Sequence, residues 1–248
     1  MNTLYAILVV YNQYIKDSVT YTFLKKHKDI NVIVCDNSTR DYKNQSVVKS
    51  DGYTYIDMHG NKGLSKAYNA ALDMLQDQSG YVILLDDDTI LNEEYYKSIL
   101  KVSCDIAVPI VVDEKSILSP SKINDGVVSR WDGKEILKHF TAINSGMIIC
   151  LDLFKTYRYD ENLFLDYVDH NFMMDMQDKD IRVLDSKIQQ NFSGNDVSNI
   201  EGSLTRFKIF KKDSKYFYRH NIRKYVLVVL KRKLHLCMQY HSVRFLFV

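Results

Sequence analysis

The sequence predicts an α/β fold, a single and mainly parallel sheet flanked by helices, with a basic helical segment added at the C-terminal end. Three observations carry this. Short apolar runs alternate with helical patterns through roughly the first 100 residues. Polar signatures gather where those apolar runs stop. The last part of the chain changes to a basic, aromatic composition. At 248 residues the chain can hold one large domain with a small appendage, expected as residues 1–200 and 201–248.

The elements follow in order. Residues 4–11 form a continuous apolar run, the pattern of a strand buried on both faces. Residues 17–28 read as a helix. Residues 31–35 form a second strand that ends at Asp36, Asn37 and Ser38, and residues 53–58 a third, followed by His59-Gly-Asn-Lys-Gly. A helix is expected over residues 64–76, with Ala67, Ala70, Ala71, Leu72 and Leu75 on its apolar side. Residues 81–85 make the fourth strand. Such alternation predicts parallel pairing through right-handed crossovers, with ligands held beyond the carboxyl ends of the strands. Tyr11 and Asn12, Asp36 and Asn37, residues 61–63, and residues 86–88 all fall at those ends.

The second half is less regular. A strand is expected over residues 105–112, a hairpin or flap over 117–130, and a strand over 142–150 that contains Asn144, Ser145 and Gly146. Residues 164–176 read as a helix with Leu165, Val168, Phe172 and Met176 on one stripe, which would put Asp166 and Asp169 on neighbouring faces. A short strand follows at 181–184.

The run Tyr-Val-Ile-Leu-Leu-Asp-Asp-Asp-Thr, residues 81–89, is the most informative. An apolar strand that enters three consecutive aspartates gathers like charges that repel, so a cation is expected there. Side chains alternate along a strand, so Asp86 and Asp88 face one side and Asp87 the other. Two converging carboxylates suit a hard divalent ion, Mg²⁺ or Mn²⁺, which takes oxygen ligands and bridges substrate phosphates.

Charge divides the chain. From Arg206 to the end there are 12 Lys or Arg against one acid, Asp213; the residues before it hold the remaining 21 basic against 30 acidic side chains. Phe207, Phe210, Tyr216, Phe217, Tyr218 and Tyr225 make this tail too apolar for a disordered polybasic arm. Its expected use is peripheral contact with an anionic membrane surface; RNA binding and a solvated helix face packed on the main domain are the competing uses. Cys35, Cys104, Cys150 and Cys237 are widely spaced and read as reduced thiols. No apolar run approaches the ~20 residues of a membrane span, and no leader pattern opens the sequence, so the expected location is the cytoplasm, at the inner face of the plasma membrane.

With these pieces in place the chain resembles the inverting nucleotide-sugar glycosyltransferases of family 2. The resemblance runs through residues 4–195 on Val-Val-Tyr-Asn at 9–12, Val-Cys-Asp-Asn-Ser at 34–38, Asn-Lys-Gly-Leu-Ser-Lys-Ala-Tyr-Asn at 61–69 and Leu-Asp-Asp-Asp-Thr at 85–89. It continues through Asn-Ser-Gly-Met-Ile at 144–148 and Asp-Glu-Asn-Leu-Phe-Leu-Asp-Tyr-Val-Asp at 160–169. Each piece alone is weak; their order and spacing are specific. The nearest flavour is the rhamnosyl- and galactofuranosyltransferase-like branch that builds bacterial surface polysaccharides.

The resemblance implies the GT-A fold, with a Rossmann-like sheet. It implies transfer from a UDP- or dTDP-linked sugar to a hydroxyl of a lipid-linked glycan, by single displacement. Tyr11, Asn12 and Asp36 would line the base and ribose pocket, although residues 36–38 also suit an Asx turn. Asn61, Lys62 and Gly63 would bring phosphate to a helix N-terminus, although Lys62 could equally be a solvent charge. Asp88 would hold the metal directly, Asp86 would contact it through water or hold the ribose, and Asp87 would touch the donor sugar or the loop supporting it. Asp169 would be the general base, with Asp166 in reserve or binding acceptor; Val168 stands where the family usually has Glu. Asn191 would take the place of a His metal ligand. Ser145, Gly146 and Trp131 would meet the acceptor, although a lone Trp is equally often just packed. A homodimer is possible and no nucleic acid is expected. The rival readings are a catalytically degenerate scaffold in a glycan-assembly complex and a nucleotidyltransferase.

Overall fold

In a computed structural model, residues 2–114, 116–124, 127–133, 139–190 and 199–248 are described. The first half alternates as expected: β1 (Leu4–Val10), α1 (Val19–Leu24), β2 (Ile30–Asp36), α2 (Asn44–Ser50), β3 (Thr54–Asp57), α3 (Leu64–Met74), β4 (Tyr81–Asp86), β5 (Thr89–Ile90) and α4 (Glu93–Ile99). There follow β6 (Ile106–Val112), β7 (Ile117–Ser119), β8 (Ser121–Asn124), β9 (Val127–Arg130), β10 (Phe140–Thr141), β11 (Met147–Cys150), α5 (Val168–Asp175) and β12 (Ile181–Gln190). Two long helices follow, α6 (Ile200–Phe217) and α7 (Ile222–Gln239), and a short 3-10 helix, Val243–Phe247, packs back on them with Phe245.

The main sheet runs β3-β2-β1-β4-β11-β6-β12-β5, with β7 beside β6. β1 pairs parallel with β2 and β4, β2 with β3, and β6 with β12. β11 is antiparallel to both its neighbours. Strands β8, β9 and β10 form a small separate sheet, the flap expected from the polar stretch after residue 117.

Period-two alternation explains the burial. On one face Ala6, Leu8 and Val10 of β1 join Val32, Val34, Ile83 and Leu85, covered by Tyr21, Phe23, Val48, Tyr95 and Ile99 from the flanking helices. On the other face Ile7, Val9, Ile33, Cys35, Val82 and Leu84 pack on Ala67, Tyr68, Ala71 and Leu72 of α3 and on Phe154, Tyr159 and Phe172. Both faces are therefore dry, which is why these strands read as unbroken apolar runs. α6 and α7 share a third core of Leu204, Phe207, Val229, Leu236, Tyr240 and Phe245.

Three elements differ from expectation. The helix expected over residues 164–176 begins only at Val168, because Tyr167 is left-handed (φ 64°) and stacks on Phe217 with ring centroids 4.6 Å apart. Asp166 therefore precedes the helix and shares no helical face with Asp169. Of the strand expected over residues 142–150, only Met147–Cys150 is paired: Gly146 sits at φ 77°, and its carbonyl accepts the Tyr95 hydroxyl at 2.7 Å. The short strand at 181–184 runs on to Gln190 through a bulge between Val183 and Lys187.

Candidate active site

The parallel registers put four polar strand ends on one edge: Val10 lies beside Asp36, Asp36 beside Asp57, and Val9 beside Asp86. β4 is buried up to Leu85, and its last residue, Asp86, opens into a cavity of about 1090 Å³. That volume is on the scale of a large ligand site or of two adjoining ones.

The acidic turn is built from several directions. The Thr20 hydroxyl lies 2.7 Å from the Asp86 carbonyl and 2.8 Å from that of Thr89, while the Ser18 hydroxyl donates to the Asp87 carbonyl at 2.6 Å. Asp86 Oδ2 accepts the Ser145 hydroxyl at 2.5 Å and Gln190 Nε2 at 3.3 Å. Asp87 Oδ2 turns away and accepts the Tyr11 amide at 3.3 Å. Asp88 Oδ1 is buried and has no hydrogen-bond partner. Burial raises all three carboxyls. Asp87 is pushed up to about 7, with help from the charges of Asp88 and Asp86, and Asp88 to about 6, with help from Asp86. Asp86 is raised by burial and further by the charge of Asp169, against the hydrogen bonds of Ser145 and Gln190.

An orphaned carboxylate oxygen beside a second carboxylate, both hard oxygen donors, fits a divalent cation such as Mg²⁺ or Mn²⁺. Among the described residues no three His, Cys, Asp or Glu side chains form a ligand cluster, so the protein would supply Asp86 and Asp88, leaving the other positions to phosphate oxygens and water. Asn191 lies outside the described residues.

Asp169, in the first turn of α5, lines the same cavity. Its Oδ1 accepts the His170 amide at 2.7 Å, and His170 Nδ1 lies 2.7 Å from the Thr141 hydroxyl. Asp166 also faces the cavity but forms a two-pronged ion pair with Arg206 of α6.

The segment before α5 is tied from both sides. The fully buried Asp213 of α6 accepts the amides of Phe164, Leu165 and Asp166 at 3.1, 2.8 and 2.9 Å. Opposite, the Phe164 carbonyl accepts the Leu64 amide at 2.7 Å. A Cβ on Gly63 (φ 90°) would come within 2.5 Å of that carbonyl, so only glycine admits the approach.

The other expected residues distribute unevenly. Tyr11 and Ser145 line the cavity; Asn12, Asp36, residues 61–63, Trp131 and Gly146 do not. Asp36 is buried, its oxygens accepting Ser38, Asn44 and Tyr55 at 2.9, 2.8 and 3.0 Å. Asn12 Oδ1 accepts the Thr39 amide at 2.9 Å. Asn61 Oδ1 accepts the Gly63 amide at 3.1 Å, and Lys62 is exposed. The first amide of α3, Leu64, is taken by the Phe164 carbonyl, which leaves the following amides of that turn for the phosphate expected beside residues 61–63. Trp131 is half-buried at the end of β9, and Gly146 acts through its backbone.

Sequence reading missed Gln190, His170 and the whole second wall. Arg206, Lys224, Lys231, Arg232 and His235 line the same cavity as the acidic turn. Their only trace in the sequence is the basic excess of the tail, which names no partner.

Residues 5–181 match the sequence profile described as Glycosyl transferase family 2. Over 183 residues the chain is 27% identical to the dTDP-rhamnosyl transferase RfbF of Shigella flexneri, an alignment that covers 68% of this chain and 61% of that protein. The chain thus spans about three-fifths of that relative's length. It also aligns with the crystal structure of 4-diphosphocytidyl-2C-methyl-D-erythritol synthase from Anaerococcus prevotii DSM 20548 (TM-score 0.45, 11% identity, 87% of this chain and 96% of that one).

Proposed function

Since the chain belongs to glycosyl transferase family 2, we infer that it moves a sugar from a UDP- or dTDP-linked donor to a hydroxyl of a lipid-linked glycan, inverting the anomeric centre. The product would be a capsule, O-antigen or cell-wall polysaccharide. The observation that carries this reading is one cavity lined at once by Asp86, Asp88 and Asp169.

A divalent cation between Asp86 and Asp88 would supply Lewis-acid stabilisation to the departing nucleoside diphosphate. Ser145 and Gln190 hold Asp86 in place, and Tyr11 holds Asp87 out of the way. Asp169 is the base. The acceptor oxygen bonds to the anomeric carbon as the bond from that carbon to the diphosphate oxygen breaks, and the hydroxyl proton passes to Asp169. Arg206 occupies Asp166, whereas Asp169 has no arginine or lysine partner among the described residues and keeps Oδ2 for the proton, its Oδ1 being held by the His170 amide. Tyr11, Asn12 and Asp36 are assigned to the base end of the donor, with Asp36 ordering the turn instead of pairing directly.

Residues 1–200 would carry the chemistry and residues 201–248 the acceptor side, in peripheral contact with the inner face of the plasma membrane. Among the described residues no helix is long and apolar enough to cross a membrane. The exposed Ile222, Val226, Leu230, Leu234 and Met238 of α7 and the basic excess around them support surface contact. The name of the Shigella relative makes dTDP-rhamnose the first donor to try.

The test is release of nucleoside diphosphate from a panel of dTDP- and UDP-sugars. Slow hydrolysis that needs Mn²⁺ or Mg²⁺ is expected with one donor. Absence of both binding and turnover across the panel would overturn the reading.

A further inference from the structure

The wall that α6 and α7 give to this cavity carries more positive charge than its ion pairs use. Arg206 is matched by Asp166. Lys224, Lys231 and Arg232 of α7 line the same cavity, and among the described residues none of the three has a carboxylate oxygen within 4 Å. The Arg232 guanidinium lies 5.9 Å from the Phe210 ring centroid. Loss of water, and then the charge of Arg206, hold it below the ordinary arginine value, while Asp166 pulls the other way. The cavity is thus lined by three cationic side chains of α7 as well as by the carboxylates of residues 86–88, and an anion bound there would meet the former.

The surface of α7 divides into three faces. Val229, Leu236 and Tyr240 are buried against Leu204, Phe207 and Phe245. Lys224, Val228, Lys231 and His235, at helical spacing, face the cavity. Val226, Leu230, Leu234 and Met238, each four residues apart, are exposed. Leu227 belongs to the last two faces, being 65% exposed while lining the cavity. The apolar stripe therefore leads directly to the cationic wall.

We propose that this wall is an acceptor subsite in which Lys224, Lys231 and Arg232 hold a phosphate group carried by the acceptor, and the exposed stripe of α7 holds the hydrocarbon chain esterified to that phosphate. It rests on the glycosyl-transfer reading and adds the group by which the acceptor is recognised. The phosphate answers the unpaired cations. The chain leaves past Leu227 onto Val226, Leu230 and Leu234, which placed in water would remain uncovered apolar surface. The glycan hydroxyl is left free to reach Asp169.

The experiment uses the full chain without donor and titrates dodecyl phosphate below its micellar concentration, inorganic phosphate, and uncharged dodecyl glucoside. Replacing Lys231→Ala together with Arg232→Ala should weaken dodecyl phosphate at least about tenfold and abolish inorganic phosphate binding. Replacing Leu230→Ser together with Leu234→Ser should weaken dodecyl phosphate about tenfold and leave inorganic phosphate unchanged. Both variants should bind dTDP with Mn²⁺ as the unsubstituted chain does, which also reports that they fold. Equal binding of dodecyl glucoside and dodecyl phosphate would overturn the proposal, and so would phosphate binding unaltered by the Lys231→Ala, Arg232→Ala change. A parallel loss of dTDP binding in that variant would assign the cations to the donor and overturn it too. If the unsubstituted chain binds no nucleotide at all, the transferase reading fails, while the phosphate titrations still decide the subsite separately.

Discussion

Two charged regions share one cavity: the carboxylates of residues 86–88 at the end of β4, and the cations of α6 and α7. The acidic region is central and rigid. It ends a strand hydrogen-bonded on both sides, to β1 and β11, and its position follows from sheet register. The basic region is peripheral, held by a small core of its own and by Asp213, whose carboxylate takes three amides of the segment before α5. The acids are placed by the sheet; the cations are placed by a helical pair that must first dock. On the proposed reading, chemistry that tolerates little displacement would sit on the first region, and recognition that tolerates more on the second.

The comparison breaks most sharply at Asp169, which stands between the two regions. Asp169→Asn should lower the rate of transfer by about 10²–10⁴-fold, the usual contribution of a general base, with nucleoside-diphosphate affinity unchanged. An equal loss of donor binding would move Asp169 to the donor side. Asp88→Asn should cost about 10²–10³-fold in kcat/KM, as for other preorganised charges. It should also raise the melting temperature of the metal-free chain, because one of three crowded carboxylates is gone. A lower melting temperature would mean that Asp88 makes a structural bond.

Asp213→Ala tests whether the basic region depends on its anchor. Three half-buried amides lose a charged acceptor that is itself fully buried, at a cost of about 3 kcal/mol in unfolding free energy by chemical denaturation. Activity should fall with it, since the same amides position the backbone leading to Asp169.

Proton and metal compete on the acidic side. Asp87 near 7 and Asp88 near 6 are raised above the ordinary carboxyl value of about 4, so while protonated they favour the folded chain. That contribution is full below about pH 4 and is lost as the pH climbs through 6 to 7. The rise in melting temperature on adding Mn²⁺ should therefore be larger at about pH 8 than at about pH 5. The smallest effect is on the basic side. Co-sedimentation with phosphatidylglycerol vesicles should fall as salt is raised, and Leu230→Ser with Leu234→Ser should reduce it further; binding indifferent to both would end the membrane assignment.

Much of this was legible along the chain. The alternation of Leu4, Ala6, Leu8 and Val10 with Ile7 and Val9 already marks a strand buried on both faces. The acidic strand end at Asp86, Asp87 and Asp88 is equally legible, because both signals depend only on neighbours one or two residues away. The start of α5 was not legible: the stripe of Leu165, Val168, Phe172 and Met176 has helical spacing, but Tyr167 leaves helical geometry to stack on Phe217, fifty residues later. Gln190 could not be connected to Asp86, nor Arg206 to Asp166, since those contacts span 104 and 40 residues. The role of Gly63 was half legible: a glycine before a helix announces a turn, but only the packed structure shows the Phe164 carbonyl it makes room for.

By itself, then, the sequence determined the layered sheet, its polar edge and the acidic turn, because period-two and helical patterns are set by local geometry and the hydrophobic effect acts on them wherever they occur. Only the tertiary structure decided that the basic tail folds back to wall the same cavity, that Asp166 is spent on Arg206, and that Asp169, among the described residues, meets only its neighbour His170. Those outcomes depend on which distant side chains meet when whole faces pack, a choice made by shape and summed contacts and not by any short stretch of residues.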